Sequence, residues 1–480
     1  MTAGKEEKTE FIVNSPFAIL KEFKHSKGGM AGVILLLALI VMSIYAILGI
    51  PIESLKQWNN PTYWINYPKA AAPIWINNMG GLLNEKLLPP QIILRPNDAS
   101  ISNANISGIH TITFSYTVNF NFDSYPTDFM IPYAVRYGQT PPVLQVNISR
   151  PDGNEFSIYY SSLPSSSISS SGIVDNINEF SSRIFSTDHT INENLRNYVN
   201  LFKYHQDTSK PQTMIFSDKD VRGVLKGKYV FRETFYLFNT TDSVLLSGVV
   251  LGGQVYGVIG TDDLRRDLAV GLLWGAPLAL FIGLTVSTAS VLIGLIYGVI
   301  AGYKGKRTDE AMMRFNDLFY SLPALPILVI LSVVIGRSIF LIAGMLVIFG
   351  WVGTAKISRS LSLQIKNLQY VEAARLMGQS DINIIFKHVI PQLLPLTFAS
   401  IAISVPGAIL GEAAISFLGL GDPTIPTWGQ ILNNANSAGA ALRGLWWWII
   451  PPGLMIAVTG LAFVLIGNAL DRIVNPRRMK

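Results

Sequence analysis

The chain has 480 residues and no cysteine; it is 49% hydrophobic and only 14% charged, whereas soluble domains carry roughly 25% charged residues. That composition belongs to a membrane protein, and it excludes disulfide scaffolds and thiolate metal sites, while the 5 His residues are too scattered to form a spaced ligand set. The formal charge of +6 would suit nucleic acid, but its position along the chain assigns it to loops beside a membrane, so no nucleic-acid partner is expected.

Residues 1–27 form a polar arm, too long to be the lead-in of a secretory signal. Residues 28–50 follow without a charge, long enough to cross a hydrocarbon core of roughly 30 Å as a helix. Further uncharged runs lie at 268–303, 318–336, 338–355, 389–411 and 444–470, which predicts a polytopic protein of six transmembrane helices. The run at 268–303 is long for one helix and short for two with a turn. Charge decides for one: with six spans and both termini cytoplasmic, the inner segments hold 18 Lys and Arg. The short outer loops hold only Arg337 and Arg443, as the positive-inside rule demands.

The interval 51–267 is rich in Ser, Asn, Thr and aromatics and is expected to fold outside the cell. Residues 111–122 alternate strictly, Ile112, Phe114, Tyr116, Val118, Phe120 and Phe122 against polar neighbours, the signature of a half-buried strand. Leu144, Val146 and Ile148, the turn 151–154, then Phe156, Ile158 and Tyr160 predict a hairpin. A Ser-rich connector (161–171), helical spacing at Leu195, Tyr198, Val199 and Phe202, and a strand at 229–238 complete a β-rich α+β domain inserted between helices 1 and 2, large enough to bury its own core. Sequons at Asn105, Asn147 and Asn239 are candidate glycosylation sites, although a segment of this composition also makes them by chance. Trp58, Tyr63, Trp64 and Trp75 are candidates for partner contact or for the domain's own core.

Catalytic chemistry is missing. No G-x-x-x-x-G-K-[ST] phosphate loop and no G-x-S-x-G elbow occurs, so neither ATP hydrolysis nor a cofactor is expected of the chain itself. The informative stretch is 370–395, YVEAARLMGQSDINIIFKHVIPQLLP. It predicts a short helix with Glu372 favoured by the dipole at its start and Arg375 three residues on, within pairing reach. Gly378 is placed to stop that helix in the left-handed conformation, and Ser380 or Asp381 to cap the next. With Ala373 and Ala374 leaving a low-relief face, such a stub suits another protein's groove, or else an ordinary loop helix held on the bundle.

Glu372-Ala373-Ala374, Gly378 and Ile390-Pro391 resemble the EAA signature of ABC-importer permeases, with His388 where the signature has an apolar residue. The stretches 260–267 (GTDDLRRD, Arg265 replacing a glycine), 412–421 and 426–429 are similar to the dipeptide, oligopeptide and nickel branch of that family. The resemblance covers residues 257–478 strongly and 12–50 weakly, and leaves out the insert. It implies a second-type permease pairing with a homologous first-type subunit, two ATPase subunits that bind ATP and Mg, and an external substrate-binding protein. It further implies that the loop 356–388 carries the ATPase-coupling helix, and that the cargo is peptide, oligosaccharide or nickel.

Within the membrane half, Glu412 and Asp317 border apolar runs and are candidates for the substrate path or for plain interfacial carboxylates. Trp446, Trp447 and Trp448 are expected in an interfacial aromatic belt. Two other classes share this hydropathy: a facilitator working without ATP, which leaves the EAA-like helix unexplained, and a membrane receptor, for which no cytoplasmic signalling segment follows residue 470.

Overall fold

The computed structural model describes residues 22–79, 86–106, 108–138, 140–163, 178–202, 210–218 and 223–474. Most of the N-terminal arm and of the C-terminal tail, and nearly all of the Ser-rich connector, lie outside the described residues. The chain divides into two compact units, Met1–Asn60 with Leu268–Lys480, and Pro61–Asp267. The division falls at Asn60 instead of Pro51 because the segment between them is claimed by the helices. Trp58 is fully buried, its ring tip against Gly271, and Ser54 accepts a hydrogen bond from the Trp274 indole at 3.3 Å.

Five helices in the first unit are long and apolar enough to cross a membrane: Lys27–Gly49, Leu268–Lys304, Ile339–Ile365, Asp381–Phe417 and Trp446–Ile473. The 268–303 run is one unbroken helix, as its flanking charges required, with Pro277 absorbed inside it. The 318–336 run is not continuous. It breaks at Leu322-Pro323 into an amphipathic helix Lys306–Ser321 and an apolar one, Ala324–Ile335, bent by 75°. The second piece has 12 residues, about 18 Å of helix and too little to cross alone. Pro323 lacks an N–H and disfavours helix at the residue before it, which is where the break falls. Among the described residues the candidate spans therefore number five, or six if the bent pair serves as one.

Close packing in this unit is made by small residues. Gly294, Gly298 and Gly302 lie one turn apart on the Leu268–Lys304 helix, and each faces a backbone carbonyl of Ile339–Ile365, those of Trp351, Ala355 and Arg359. A Cβ on Gly294 or Gly302 would stand 2.6 Å from its carbonyl, and one on Gly298 closer still. Small residues at this spacing let backbones approach where lipid supplies no hydrophobic drive to associate. Ser362 donates to the Val299 carbonyl at 3.1 Å and Lys366 to that of Gly302 at 3.0 Å, fastening the same seam. Trp447 and Trp448 are buried against the protein.

The second unit is built from two antiparallel sheets. One runs β1 (Ile92–Leu94), β10 (Val249–Leu251), β4 (Phe129–Tyr137), β7 (Asn178–Phe185), with β9 (Ser243–Leu246) also on β4. The other runs β2 (Ser100–Ile106), β3 (Ile109–Phe120), β8 (Gly227–Leu237), β5 (Val143–Ser149), β6 (Glu155–Ser162). Inward residues of both sheets join in a single core that includes Tyr116, Phe120, Val135, Ile148 and Phe231, so this is a sandwich. The predicted strand, hairpin and 229–238 strand are β3, β5–β6 and β8, and the helix is His189–Phe202. Trp64 is buried and Trp75 half-buried, while Tyr63 stays exposed; the ring of Trp64 meets Tyr63 and Tyr67 edge-on at 4.9 and 5.2 Å.

The 260–267 stretch holds its shape by charge. Asp262 and Arg266 form a buried ion pair at 2.6 Å, and the Thr261 hydroxyl donates to the Pro68 carbonyl at 2.7 Å. Arg265 has φ +67, the left-handed region that glycine enters freely and that costs other residues about 1 kcal/mol or more. The Arg265 guanidinium offsets that cost by donating to the Tyr67 carbonyl at 2.7 Å and pairing with Asp128.

One core position breaks the apolar pattern of β8. Glu233 is fully buried between Phe231 and Phe235 in the inward register, and one carboxylate oxygen accepts from Ser247 at 2.5 Å, whose hydroxyl in turn accepts from Tyr116 at 2.9 Å. Burial pushes the Glu233 carboxyl up to about 8. The folded domain thus keeps a proton that the unfolded chain has released above its ordinary value near 4.5. Its stabilising effect is complete below that value and is lost as pH rises towards about 8. Glu233→Gln is expected to remove this slope, worth on the order of a few kcal/mol between pH 5 and 8.5. Thermal melts of the domain's near-UV signal in wild type and variant check it; equal slopes in the two would refute the assignment.

Candidate functional site

The helix Gln369–Leu376 starts from extended Leu368, whose carbonyl accepts from Val371 at 3.0 Å and Glu372 at 3.1 Å. No side chain caps it, so the acidic Glu372 in its first turn is the local stabiliser. It ends as the glycine predicts. Gly378 has φ +79, its N–H donates to the Arg375 carbonyl at 3.0 Å, and the Gln379 N–H reaches the Ala374 carbonyl at 3.2 Å. This is the paired closure of a Schellman motif, which satisfies carbonyls the helix leaves open. Of the two predicted caps for the next helix, Ser380 is used: its hydroxyl accepts from the Asn383 N–H at 3.4 Å.

The two faces of the stub differ. Val371 and Ala374 are buried in a cluster with Leu295, Val299, Ile384 and Leu393, so the helix is seated on the bundle by its own apolar stripe. Glu372, Ala373, Arg375 and Gly378 are exposed. Around them stand Leu376, Met377 and Ile382, 82%, 72% and 68% exposed. An apolar ridge fringed by charge and raised on a rigid turn is the shape an amphipathic helix presents to a groove.

Arg375 does not pair with Glu372; among the described residues no ion pair joins them. Its guanidinium lies 5.5 Å over the Tyr303 ring, and Tyr303 donates to Asp381 at 3.4 Å. Tyr303 first, then Asp381 and Glu372, hold Arg375 above its ordinary value. An exposed pair three residues apart contributes only a few tenths of a kcal/mol, less than a cation over a shielded ring. His388, the departure from the signature, makes a hydrogen bond with Gln379 at 3.0 Å, and its ring lies 6.5 Å from that of Tyr370. It sits in a π-turn, Ile385–Val389, and so ties both ends of the stub to the start of the following span. Sequence reasoning singled out His388 but missed Tyr303 and Gln379, which no local pattern marks.

The other candidates lie apart from this site and from each other. Asp317 is exposed on the amphipathic helix and pairs with Lys356 at 2.8 Å, while Lys356 also covers the Tyr320 ring at 4.2 Å. Glu412 is buried and accepts from Ser416, one turn on in its helix, at 2.6 Å. Neither lines the open cavity of about 590 Å³ between the helices, whose polar lining is Thr354, Ser358, Thr397, Ser400, Ser404 and Asp471. Hydroxyls spread singly over two helices leave no motif in the sequence. Asn105 is exposed, Asn147 half-buried in β5, and Asn239 tied to Asp242. No group of three or more metal-binding side chains forms among the described residues.

The family model "Binding-protein-dependent transport system inner membrane component" matches residues 294–480. The dipeptide transport system permease protein DppC of Bacillus subtilis is 37% identical over 219 residues, 45% of this chain and 68% of that protein. The oligopeptide transport system permease protein OppC of Haemophilus influenzae is 37% identical over 223 residues, 46% of this chain and 71% of that protein. Among solved structures, an inward-facing MetNI methionine ABC transporter aligns with 20% identity and a TM-score of 0.36, covering 43% of this chain and 95% of that one.

Proposed function

The chain belongs to the family of binding-protein-dependent transport system inner membrane components and is a multi-pass permease subunit of an ABC importer; from that premise we propose that it imports peptides by alternating access, driven by a separate ATPase. The cargo follows from relatives whose names are those of dipeptide and oligopeptide permeases. Oligosaccharide or nickel import by the same machinery is the second reading, and the branch resemblance alone favours it.

In this proposal the Gln369–Leu376 helix is the coupling element. ATP and Mg are held by two partner subunits, and closure of that pair pushes on the exposed ridge Leu376, Met377 and Ile382. The push reaches the spans because the opposite face, Val371 and Ala374, is packed against Leu295 and Val299 of the Leu268–Lys304 helix. The single observation that carries the reading is this division of the segment 369–382 into a seated face, Val371 and Ala374, and an exposed apolar ridge, Leu376, Met377 and Ile382. In this reading the bent pair counts as one of six spans, both termini lie in the cytoplasm and the sandwich lies outside; the 18 Lys and Arg of the inner segments support that orientation by the positive-inside rule. A homologous permease completes the path, and the sandwich helps to receive the substrate-binding protein.

Purified alone, the chain is expected to hydrolyse no ATP, because it encodes no phosphate loop. Purified gently from its own membranes, it is expected to retain an ATP-binding subunit. Hydrolysis that survives removal of every other polypeptide would overturn the subunit assignment. A chain that transports substrate without any ATPase would return the facilitator reading.

A further inference from the structure

We propose that Tyr303 is a positioning residue, which fixes the angle at which the exposed ridge Leu376, Met377 and Ile382 meets the partner ATPase. The inference rests on reading the Gln369–Leu376 helix as the coupling element. Tyr303 is the last residue but one of the Leu268–Lys304 helix and is 3% exposed. Its ring lies under Arg375, in the last turn of the stub, with the guanidinium 5.5 Å from the ring centroid. Its hydroxyl donates at 3.4 Å to Asp381, the first residue of the helix Asp381–Ile384. One side chain therefore holds both flanks of the turn that carries the ridge. Leu376 and Met377 lie between its two contacts, and Ile382 follows the second.

The seat beneath the stub does not fix that angle by itself. Val371 and Ala374 bury a narrow apolar stripe in a cluster with Leu295 and Val299, and apolar contact is non-directional, so it resists separation more than rolling. A cation over a ring face and a hydroxyl aimed at a carboxylate do have preferred placements. Pairing Arg375 with Glu372 would join two residues of one helix and leave the stub's angle to the span unset. Pairing it with Tyr303 joins the stub to the span. Gly302, the residue before, approaches the Arg359 carbonyl, and its own carbonyl accepts from Lys366 at 3.0 Å. A push on the ridge thus enters the long helix within one residue of its seam with Ile339–Ile365.

Because the chain has no cysteine, Met377→Cys places a single thiol on the ridge. In the whole transporter, purified with its ATPase subunits, a short thiol–amine cross-linker is expected to join that thiol to the ATPase. Adding Tyr303→Leu should slow the cross-link about fivefold while the ATPase stays bound, and Tyr303→Phe, which keeps the ring, should hold the rate within about twofold of the parent. Arg375→Gln should slow it likewise, and the two slowing substitutions together no further than either alone, because both remove one contact. Tyr303→Met, whose flexible side chain fills irregular space, stands in if Tyr303→Leu fails to assemble. An unchanged rate in Tyr303→Leu, a rate that falls only as bound ATPase is lost, or effects that add would overturn the positioning role and leave the coupling reading standing. No cross-link from Met377→Cys alone, or no ATPase subunit to join, would overturn the coupling reading and this inference with it.

Discussion

Gly378→Val is expected to cut transport at least tenfold while the protein still inserts, folds and pairs with its partner permease. Nothing stands within 4 Å of a Cβ built on Gly378, so the substitution meets no clash and its whole effect comes from the backbone. At φ +79 a β-branched side chain costs on the order of 1–2 kcal/mol or more. The chain escapes that cost by opening the turn, which releases the bonds from Gly378 to Arg375 and from Gln379 to Ala374. Leu376, Met377 and Ile382 then lose their fixed spacing as a docking ridge. Gly378→Asn, which tolerates the left-handed region, should keep most of the activity. Glu372→Lys should weaken coupling through the helix start, because it puts a cation at the positive end of the dipole. Substrate-stimulated uptake in vesicles separates these outcomes, and wild-type uptake by Gly378→Val would remove the segment from the coupling role.

The second large effect is on folding. Gly298→Leu is expected to abolish the folded helical unit, since even the first carbon of the new side chain lands on the Ala355 carbonyl. The Leu268–Lys304 and Ile339–Ile365 helices would have to separate along their whole seam, forfeiting the contacts at Gly294 and Gly302 and the bonds from Ser362 and Lys366. Overpacking one such contact typically costs about 1–3 kcal/mol, and spreading the strain along a seam costs more. Gly353→Leu is the control on the second helix, where a Cβ meets nothing within 4 Å. Thermal unfolding in detergent should show the first variant absent or strongly lowered in Tm and the second close to wild type. Equal melting of the two would mean that the close approach is not what holds these helices.

Several features were legible because their cause is local. Alternation along 111–122 is a property of a dozen consecutive residues, and it returned as β3 with Phe114, Tyr116, Val118 and Phe120 inward. The long run at 268–303 was read as one helix from the charges flanking it, and one helix is what forms. Gly378 announced a helix stop, and both bonds of that stop are made. The run at 318–336 was legible as apolar but not as bent, because hydropathy averages over a window, while the break at Leu322-Pro323 depends on one missing N–H.

The candidate coupling site was half visible. Its outline was encoded in 372–378, but Arg375 turned to Tyr303, which is more than seventy residues away in the chain, and not to Glu372 three residues away. Trp58 looked like part of the insert and proved to fill a notch at Gly271 in the helical unit. The three sequons are equal as strings, and only the sheet distinguishes an edge asparagine from one inside a ladder and one tied to Asp242.

The sequence by itself determined the apolar runs, the strand periodicity and the left-handed stop at Gly378, since each follows from a neighbour's chemistry or a single residue's allowed dihedrals. Tertiary structure decided which hydroxyls share the cavity, which face of the Gln369–Leu376 helix stays exposed and where Glu233 finds Ser247 and Tyr116. Those depend on packing between segments far apart in the chain, where the nearest partner is set by the space left between elements and not by adjacency along the backbone.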